Sequence, residues 1–285
     1  MIRIRPLVES EVDNILTLRR NFFGDFFESR FRSFIQKNPN FIFIADSGEG
    51  NGKILGYAFA YPWKTGTGVV HHIFVYPEHQ GKVENHLLNN IEQYFSNGNL
   101  NKIRVWARED QNSLIKLLYE LGYELDTELF VFENNKIKDT QILDEGNQDV
   151  RILDFNEKYM DDILEIEKRC FKPAWHVSRG EFLRYATRYD SWFCIALDKD
   201  KAVGYLQISA SYDLGYLGRV AVLPQYQRKG IGTRLSAEAI KWFKKKETKK
   251  VKLRSPLANI PAHNLYKKFG FIEVGKEYDF LKNLE

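Results

Sequence analysis

Runs of apolar and β-branched residues alternate along the chain with stretches in which apolar residues recur at helical spacing. In the second half, two such runs at residues 192–197 and 202–209 flank the charged tetrapeptide 198–201, a pattern that predicts a β-hairpin. A third run ends just before Pro224 and leads through a glycine-containing turn into a helical pattern. The whole pattern predicts an α/β (α+β) fold, with a mixed, mostly antiparallel central sheet flanked by helices.

The same order of strands and helices occurs twice. The stretch that begins at Arg3 aligns with the stretch that begins at Arg151, 148 positions later. A period of this length predicts a duplicated domain, because the units of solenoid repeats are only about 20 to 50 residues long. A polar segment at residues 133–149 separates the two copies. We therefore predict two tandem domains, residues 1–145 with the linker included and residues 146–285.

The glycine-containing turn of the second copy has the features of a phosphate site. A helix that begins near Gly230 would point its free N–H groups into the turn, where they can bind phosphate oxygens. Gly230 and Gly232 let a diphosphate approach the backbone closely, and Arg228 and Lys229 add positive charge. The turn lacks the lysine of a P-loop, and Leu235 stands where a dinucleotide-binding fingerprint needs its third glycine. Both common nucleotide-binding patterns are therefore excluded.

This turn, Gln-Arg-Lys-Gly-Ile-Gly at residues 227–232, resembles motif A of the GNAT N-acetyltransferase superfamily, Gln/Arg-x-x-Gly-x-Gly/Ala. Farther along, Asn259, Tyr266 and the Phe-Gly-Phe that follows are similar to motif B of the same superfamily. Two motifs in this order and spacing identify the chain as a member. The resemblance covers residues 150–285 well and residues 1–133 more loosely, and the second domain resembles the ribosomal-protein alanine N-acetyltransferases.

The resemblance implies that acetyl-CoA binds to the second domain and that CoA is released as a product. In the superfamily, the glycine turn holds the pyrophosphate, and the preceding strand binds the pantetheine arm through backbone hydrogen bonds, as an added strand would. The residues implied for cofactor binding are Val220, Ala221, Val222, Gln227, Arg228, Lys229, Gly230, Ile231, Gly232, Thr233, Asn259 and Tyr266.

Tyr266 is the candidate general acid. A thiolate leaving group, whose thiol has a pKa of about 8.5, benefits from a proton donor, and tyrosine has a reference pKa of about 10. The alternative is a tyrosine that only packs the last helix against the core. Asn259 has a similar alternative, since an asparagine at this point can serve as a helix N-cap.

The general base is not identified by the sequence. The related ribosomal-protein alanine N-acetyltransferases carry a glutamate five positions before the motif B asparagine, where this chain has Arg254. An α-amine, with a pKa of about 7.7 to 8.0, needs less help to lose its proton than a lysine amine, with a pKa of about 10.4. The missing carboxylate therefore favours an α-amine or another weakly basic acceptor.

Residues on the acceptor side are suggested by a second, shorter resemblance. Phe171, Trp175 and His176 lie in an aromatic, proline and tryptophan segment similar to the loop that borders the acceptor site in N-terminal acetyltransferases. The alternative is aromatic packing between helices. His176 and Glu181 are also candidates for a base that acts through a water molecule.

The first domain has a degenerate version of the glycine turn. Val83 and Asn85 replace the two glycines, and Glu84 adds a negative charge where a phosphate would bind. We predict that this domain is a degenerate copy that packs on the second domain or shapes its acceptor site inside one chain, an arrangement compatible with a monomer.

Other functions find little support in the composition. His71, His72 and His79 have no cysteine or carboxylate to complete a metal site, so no metal is expected. The lysines at residues 241–250 suit the end of a helix better than a nucleic-acid surface, and 42 basic residues are nearly balanced by 38 acidic ones. Without an apolar stretch of about 18 residues or a signal-peptide pattern, we expect a cytoplasmic protein that does not enter membranes.

The leading hypothesis is an N-acetyltransferase that moves acetyl from acetyl-CoA to a primary amine, of a small molecule or of a peptide, by direct transfer in a ternary complex. The alternative, which Arg254 permits, is a non-catalytic acyl-CoA-binding or protein-interaction module. A third hypothesis, a nucleic-acid-associated protein, would depend on the lysines of residues 241–250.

Overall fold

The computed structural model describes residues 1–23, 28–48, 52–64, 66–143, 145–211 and 213–284. Its contacts divide the chain into two compact units. The first unit contains Met1–Leu129 and Gly275–Glu285, and the second contains Phe130–Val274.

The first unit is a sheet with helices. Its pairing order is β1-β2-β3-β4-β5, followed by a strand from the end of the chain, and β4 and β5 are parallel whereas the others pair antiparallel. The elements of this half of the chain are β1 (Arg3–Pro6), α1 (Val12–Phe23), α2 (Glu28–Lys37), β2 (Ile42–Asp46), β3 (Ile54–Lys64), β4 (Thr67–Val75), α3 (Lys82–Asn97), β5 (Lys102–Arg108), α4 (Asn112–Glu120) and β6 (Glu124–Asn134).

The second unit repeats this plan. Strands β7, β8, β9 and β10 pair antiparallel in chain order, and β10 then pairs parallel with β11. The elements of the second half of the chain are β7 (Arg151–Asp154), α5 (Met160–Cys170), α6 (Arg179–Thr187), β8 (Ser191–Asp198), β9 (Lys201–Ser211), β10 (Leu214–Val222), α7 (Ile231–Lys245), β11 (Lys250–Pro256), α8 (Ile260–Lys268) and β12 (Ile272–Asn283). The predicted fold class is confirmed, and the predicted hairpin is β8 and β9.

Apolar side chains cover both faces of the second unit's sheet. On one face, Leu235 and Phe243 of α7 pack with Leu206 of β9. On the other face, Ile163 of α5 and Phe182 of α6 pack with neighbouring side chains of the sheet. The sheet thus forms the middle layer, and the loops at the end of β10 are supported from both sides.

The final strand of each copy contributes residues to the compact unit that is formed mainly by the other copy. Residues 277–283 of β12 pair antiparallel with β5, so the C-terminal segment belongs to the first unit. Residues 130–143 belong to the second unit, where Glu133 forms ion pairs with Lys250 and Lys252 of β11. The compact units therefore contain different residues from the domains 1–145 and 146–285. Those domains were defined by the duplication of the sequence and remain a prediction.

Candidate active site

Strands β10 and β11 separate at the centre of the second unit. Their parallel pairing extends from Leu214–Lys250 to Tyr216–Lys252, whereas β10 continues to Val222. The divergence begins at a bulge that contains Gly218. This glycine lies so close to β9 that a Cβ there would overlap the Gln207 side chain. One edge of the end of β10 pairs with β9, and the other edge borders the opening between β10 and β11.

This opening is a cavity of about 910 Å³. One wall consists of Val220, Ala221 and Val222, the three residues that the sequence predicted to bind a pantetheine arm through their backbone. The residues that line the rest of the cavity come from the glycine turn, α5 and α8, and they include Cys170, Phe171, Gln227, Arg228, Gly230, Gly232, Thr233, Asn259 and Tyr266. Most of the predicted cofactor-binding residues are thus brought together.

The first turn of α7 is built to bind an anion. Gly230 is the N-cap residue, with φ 78° in the left-handed region, and it has no side chain that could cap the free N–H groups. The positive end of the helix dipole therefore faces the cavity that Gly230 and Gly232 line. A Cβ at Gly232 would make only an ordinary contact, 3.5 Å from Leu265, whereas a Cβ at Gly230 would lie 3.0 Å from the Asn147 backbone nitrogen. The absence of a side chain at Gly230 thus serves a contact within the protein as well as the turn.

Three other predicted residues of the turn act in different ways. The Gln227 amide donates a hydrogen bond of 2.9 Å to the Val222 carbonyl and so braces the turn. The Ile231 side chain is buried in the core, which leaves its backbone N–H to face a ligand. The Lys229 ammonium lies 5.4 Å from the centre of the Tyr226 ring.

Helix α8 supplies the opposite wall. Asn259 occupies the N-cap position of α8, but its side chain makes no capping hydrogen bond. Tyr266 is buried and packs against the rings of Phe132 and Phe271. Burial, together with the nearby Tyr216 hydroxyl, raises the pKa of Tyr266 to about 12. Packing and a cavity-facing phenol are therefore combined in one residue, and this phenol keeps its proton at neutral pH.

A thiol on the cavity wall was not identified from the sequence. Cys170, at the end of α5, donates a hydrogen bond of 3.2 Å to the Val222 carbonyl. Burial raises the pKa of the Cys170 thiol to about 11. The group is therefore a neutral thiol at physiological pH, a poor nucleophile for acyl transfer.

The predicted acceptor-side segment is held by an arginine of β10. The Arg219 guanidinium lies 4.2 Å from the centre of the Phe171 ring and donates a hydrogen bond of 2.5 Å to the Trp175 carbonyl. The His176 Nε2 donates to the Phe171 carbonyl over 2.9 Å. Of this segment, Phe171 lines the cavity.

A buried carboxylate, also missed in the sequence, anchors this arrangement. Glu167 of α5 accepts hydrogen bonds from the Val177 N–H (2.7 Å) and from the Tyr205 hydroxyl, and it forms an ion pair of 2.8 Å with Arg219. A glutamate on the apolar face of a predicted helix was the available signal, because a buried charge requires partners. Its contacts give it a positioning role.

Both predicted bases, His176 and Glu181, form hydrogen bonds with residues close to them in the sequence. The Glu181 carboxylate accepts hydrogen bonds from the Ser178 N–H (2.8 Å) and hydroxyl (2.7 Å), a capping box at the start of α6. At the position of the absent glutamate, Arg254 lies with its Nη1 3.4 Å from the Tyr216 hydroxyl. In these contacts, neither Glu181 nor Arg254 provides a base beside Tyr266.

The equivalent turn of the first unit is shorter and already filled. Helix α3 begins five positions after Pro77, whereas α7 begins seven positions after Pro224, a difference of two residues. The N-cap of α3 is Gly81, with φ 74°, so Gly81 is the structural counterpart of Gly230. This corrects the sequence alignment, which set Val83 and Asn85 opposite the two glycines.

The carboxylate of Glu84 occupies the start of α3. It accepts hydrogen bonds from the Gly81 N–H (2.8 Å) and the Ser113 hydroxyl (3.0 Å), and the residue is buried. The anion that this helix N-terminus favours is therefore supplied by the protein itself.

Three of the six lysines considered for nucleic acid, Lys241, Lys249 and Lys250, have acidic partners among the described residues. Lys241 contacts Glu145 at 2.9 Å, and Lys249 contacts Asp213 at 2.8 Å. Within the described ranges, no group of three or more His, Cys, Asp or Glu side chains is arranged to hold a metal ion. None of the described helices is long and apolar enough to cross a membrane.

Comparison with known proteins agrees with this geometry. Residues 12–123 and 160–271 each match the model of the Acetyltransferase (GNAT) family. A Bacillus subtilis protein provisionally assigned as a ribosomal protein bS18-alanine N-acetyltransferase is 28% identical over 112 residues, 39% of this chain and 73% of that protein. An N-alpha-acetyltransferase of Sulfurisphaera tokodaii is 34% identical over 106 residues, 33% of this chain and 64% of that protein, slightly under two thirds of its length.

Two solved structures are similar over the whole chain. A GCN5-related N-acetyltransferase from Sphaerobacter thermophilus has a TM-score of 0.81 at 14% identity, covering 100% of this chain and 96% of that one. A tandem GNAT protein from the clavulanic acid biosynthesis pathway has a TM-score of 0.77 at 13% identity, covering 100% of this chain and 99% of that one. At these identities the likeness concerns the fold.

Proposed function

The chain belongs to the acetyltransferase (GNAT) family, with two tandem domains, and is an acyltransferase that acts on amines; from this premise we propose that its second unit transfers acetyl from acetyl-CoA to a primary α-amine. The acceptor is a small molecule or the N-terminus of a peptide, and transfer is direct, within a ternary complex. The observation that carries the proposal is the cavity itself, which joins the open edge of β10 to the N-terminus of α7.

The cavity fits the parts of acetyl-CoA. The N–H groups at the start of α7, with Arg228 and Thr233 beside them, suit a pyrophosphate. The edge of β10 at residues 220–222 suits the amide-containing pantetheine arm, which can pair with it as a strand would. Asn259, whose side chain makes no capping bond, offers an amide on the opposite wall. Acetyl-CoA supplies a thioester, whose acyl carbon is electrophilic and whose sulfur leaves as a thiolate.

Tyr266 provides the proton donor in this proposal. With a pKa of about 12, its hydroxyl is a weaker acid than a free thiol of pKa about 8.5, so it favours hydrogen-bond donation to the departing sulfur over complete proton transfer. A neutral donor fixed in a buried position stabilises negative charge where that charge develops. The packing of its ring against Phe132 and Phe271 holds the hydroxyl in place.

Direct transfer is supported by the state of Cys170. Its thiol lines the cavity, but a pKa of about 11 keeps it protonated, so it does not serve as an acyl carrier. A neutral thiol supports direct attack by the amine, without a covalent enzyme intermediate, as the ternary-complex proposal requires.

The proposed acceptor class rests on a missing base, since none of the described residues that line the cavity is an aspartate, a glutamate or a histidine. Glu181 is engaged in a helix cap, Glu167 in an ion pair, and Arg254 stands where a carboxylate would have been expected. An α-amine with a pKa of about 7.7 to 8.0 is partly neutral at cellular pH and can react without a strong base. Two relatives whose names specify alanine or N-alpha acetylation support the same class.

Arg254 also supports one alternative, an acyl-CoA-binding module without catalysis. A thiol-release assay separates the two functions. Acetyl-CoA is mixed with the full-length protein and a panel of small α-amines, lysine-like amines and peptides with free N-termini, and the same mixture without protein serves as the control. Thiol release that depends on an α-amine supports the proposed function. Tight binding of acetyl-CoA without thiol release above the control, for every amine, supports the binding module instead.

A further inference from the structure

The segment before β7 lies against the pyrophosphate turn. We call residues 145–148 the latch segment. Asn147 makes two hydrogen bonds to the turn, from its backbone N–H to the Gly230 carbonyl (3.2 Å) and from its side-chain amide to the Lys229 carbonyl (2.9 Å). Gly146, with φ 75°, approaches so closely that a Cβ would overlap the Arg234 nitrogen and the Gly230 oxygen.

Ion pairs and hydrogen bonds to α7 hold both ends of the latch segment. Glu145 contacts the Lys241 ammonium at 2.9 Å and the Arg234 guanidinium at 3.5 Å. Gln148 accepts a hydrogen bond of 3.0 Å from Arg234. The Asn147 side chain is itself oriented, because its Oδ1 accepts from the Asp149 N–H over 2.8 Å.

These contacts determine which way the peptide groups of the turn point. In a planar trans peptide, the carbonyl and the next residue's N–H point in opposite directions. Holding the Lys229 carbonyl toward Asn147 therefore turns the Gly230 N–H away from the latch segment. The Gly230 carbonyl also accepts the Arg234 N–H over 2.9 Å, so α7 itself orients the Ile231 N–H. The peptide between Lys229 and Gly230 precedes the helix, and glycine is conformationally permissive, so the contact from Asn147 favours one orientation of this peptide.

We propose that Asn147 is a positioning residue that fixes the Gly230 N–H, beside the Ile231 N–H that α7 orients, to bind a pyrophosphate, with Gly146 allowing the close approach. The inference rests on the proposed function, because it assumes that the start of α7 binds the pyrophosphate of acetyl-CoA. It adds that part of this site lies outside the cavity, in the segment that precedes the second copy.

The test compares Asn147→Ala and Gly146→Ala with Gly122→Ala in the full-length protein. Gly122 is the matched control, since its φ is 80° but a Cβ there meets no atom within 4 Å. Each Gly→Ala change therefore carries similar backbone strain, and only Gly146→Ala displaces the latch segment. Calorimetric titration with CoA measures binding, thermal melting checks folding, and acetyl transfer from S-acetylpantetheine, which lacks the pyrophosphate, measures the rest of the site.

We expect the Kd for CoA to rise about fivefold in Asn147→Ala, which corresponds to about 1 kcal/mol, and at least as much in Gly146→Ala. Gly122→Ala should bind like the wild type, and kcat/KM with S-acetylpantetheine should stay within about twofold in Asn147→Ala. The proposed role of Asn147 would be overturned by equal CoA affinity in wild type and Asn147→Ala. It would also be overturned by an equal loss of kcat/KM with S-acetylpantetheine. If the wild-type chain itself binds no CoA, the proposed function fails, and the latch fails with it.

Discussion

The N-termini of helices α3 and α7 occupy the same place in two copies of one fold, and they are used in opposite ways. Both begin at a glycine with a left-handed φ, Gly81 and Gly230. At α3, the Glu84 carboxylate accepts the Gly81 N–H, whereas α7 begins without a capping side chain and faces a cavity. A helix N-terminus favours an anion, and that anion can be part of the protein or a ligand.

Under the proposed function, the first unit keeps the helix without a phosphate site. One carboxylate and a turn two residues shorter give the start of α3 an internal contact that stabilises the fold. In the second unit, no side chain caps the same N–H groups, so a bound anion would stabilise α7.

The largest effect is expected when the second unit is given the acidic residue that caps α3 in the first unit. Thr233 occupies the third position of α7, as Glu84 does in α3. In Thr233→Glu, the new carboxylate should cap α7 and repel a pyrophosphate, raising the Kd for CoA at least about 100-fold. Thr233→Gln, which has the same size without the charge, should lose much less. Calorimetric titration gives both values, and equal Kd values for the two variants would show that charge is not the cause.

A second comparison concerns the tyrosines at matching positions of the two copies. Tyr266 is buried beside the cavity, whereas Tyr119 of α4 is 54% exposed. Tyr266→Phe should lower kcat by about 10- to 100-fold with little change in the Kd for CoA, because it removes a donor used mainly as the sulfur leaves. Tyr119→Phe should leave both unchanged. An unaltered kcat in Tyr266→Phe would restrict that residue to packing.

The pH dependence of the reaction rate should show that Tyr266 stays protonated. Because its pKa is raised from 10 to about 12, Tyr266 keeps its proton through pH 10. The rate with an α-amine should therefore rise through about pH 8 as the amine loses its proton, and then stay level to about pH 10. A decline centred between pH 8 and 10 would contradict the raised pKa.

The same shift affects stability. The folded protein holds this proton to a higher pH than the unfolded chain, so the contribution of Tyr266 is complete below about pH 10 and is lost as pH rises toward about 12. Denaturant unfolding of wild type and Tyr266→Phe over this pH range measures it. The difference in the free energy of unfolding between the two proteins should be constant below about pH 10 and shift in favour of Tyr266→Phe above it, because only the wild type has this phenol to ionise.

The smallest effect is expected in the first unit. Glu84→Gln removes the charge at the start of α3 and should lower the free energy of unfolding by about 1 kcal/mol. It should not create a CoA site, because the turn remains two residues short. Denaturant unfolding measures the first effect, and the stoichiometry of CoA binding checks the second. A second equivalent of bound CoA in this variant would show that Glu84 alone closes the first unit's turn.

Local patterns were enough to predict the fold class and much of the cavity. The glycine turn lies between a strand and a helix in consecutive residues, so Gly230 and Gly232 could be placed before the structure was known. Tyr266 was predicted from the resemblance of residues 259–271 to motif B. Glu167 and Arg219 could not be predicted, because they are 52 positions apart and meet only when α5 packs on β10.

Other features have no signature in a single sequence. The shortened turn of the first unit looks like a substitution of glycines when the copies are aligned without a gap, and only the helix starts at Lys82 and Ile231 reveal the shift. The destination of the last strand is similarly hidden. Residues 277–283 could extend a sheet in either unit by their pattern alone, and their pairing with β5 is a tertiary choice.

Hydrogen–deuterium exchange of the full-length protein, with and without saturating CoA, tests most directly whether one copy binds the ligand and the other does not. The account predicts slower exchange in residues 220–222 and 229–235, which include the residues of β10 and α7 that line the cavity. It predicts no change in residues 78–86, because the Glu84 carboxylate already accepts the Gly81 N–H. Protection of residues 78–86 by CoA, or its absence from residues 229–235, would contradict the account.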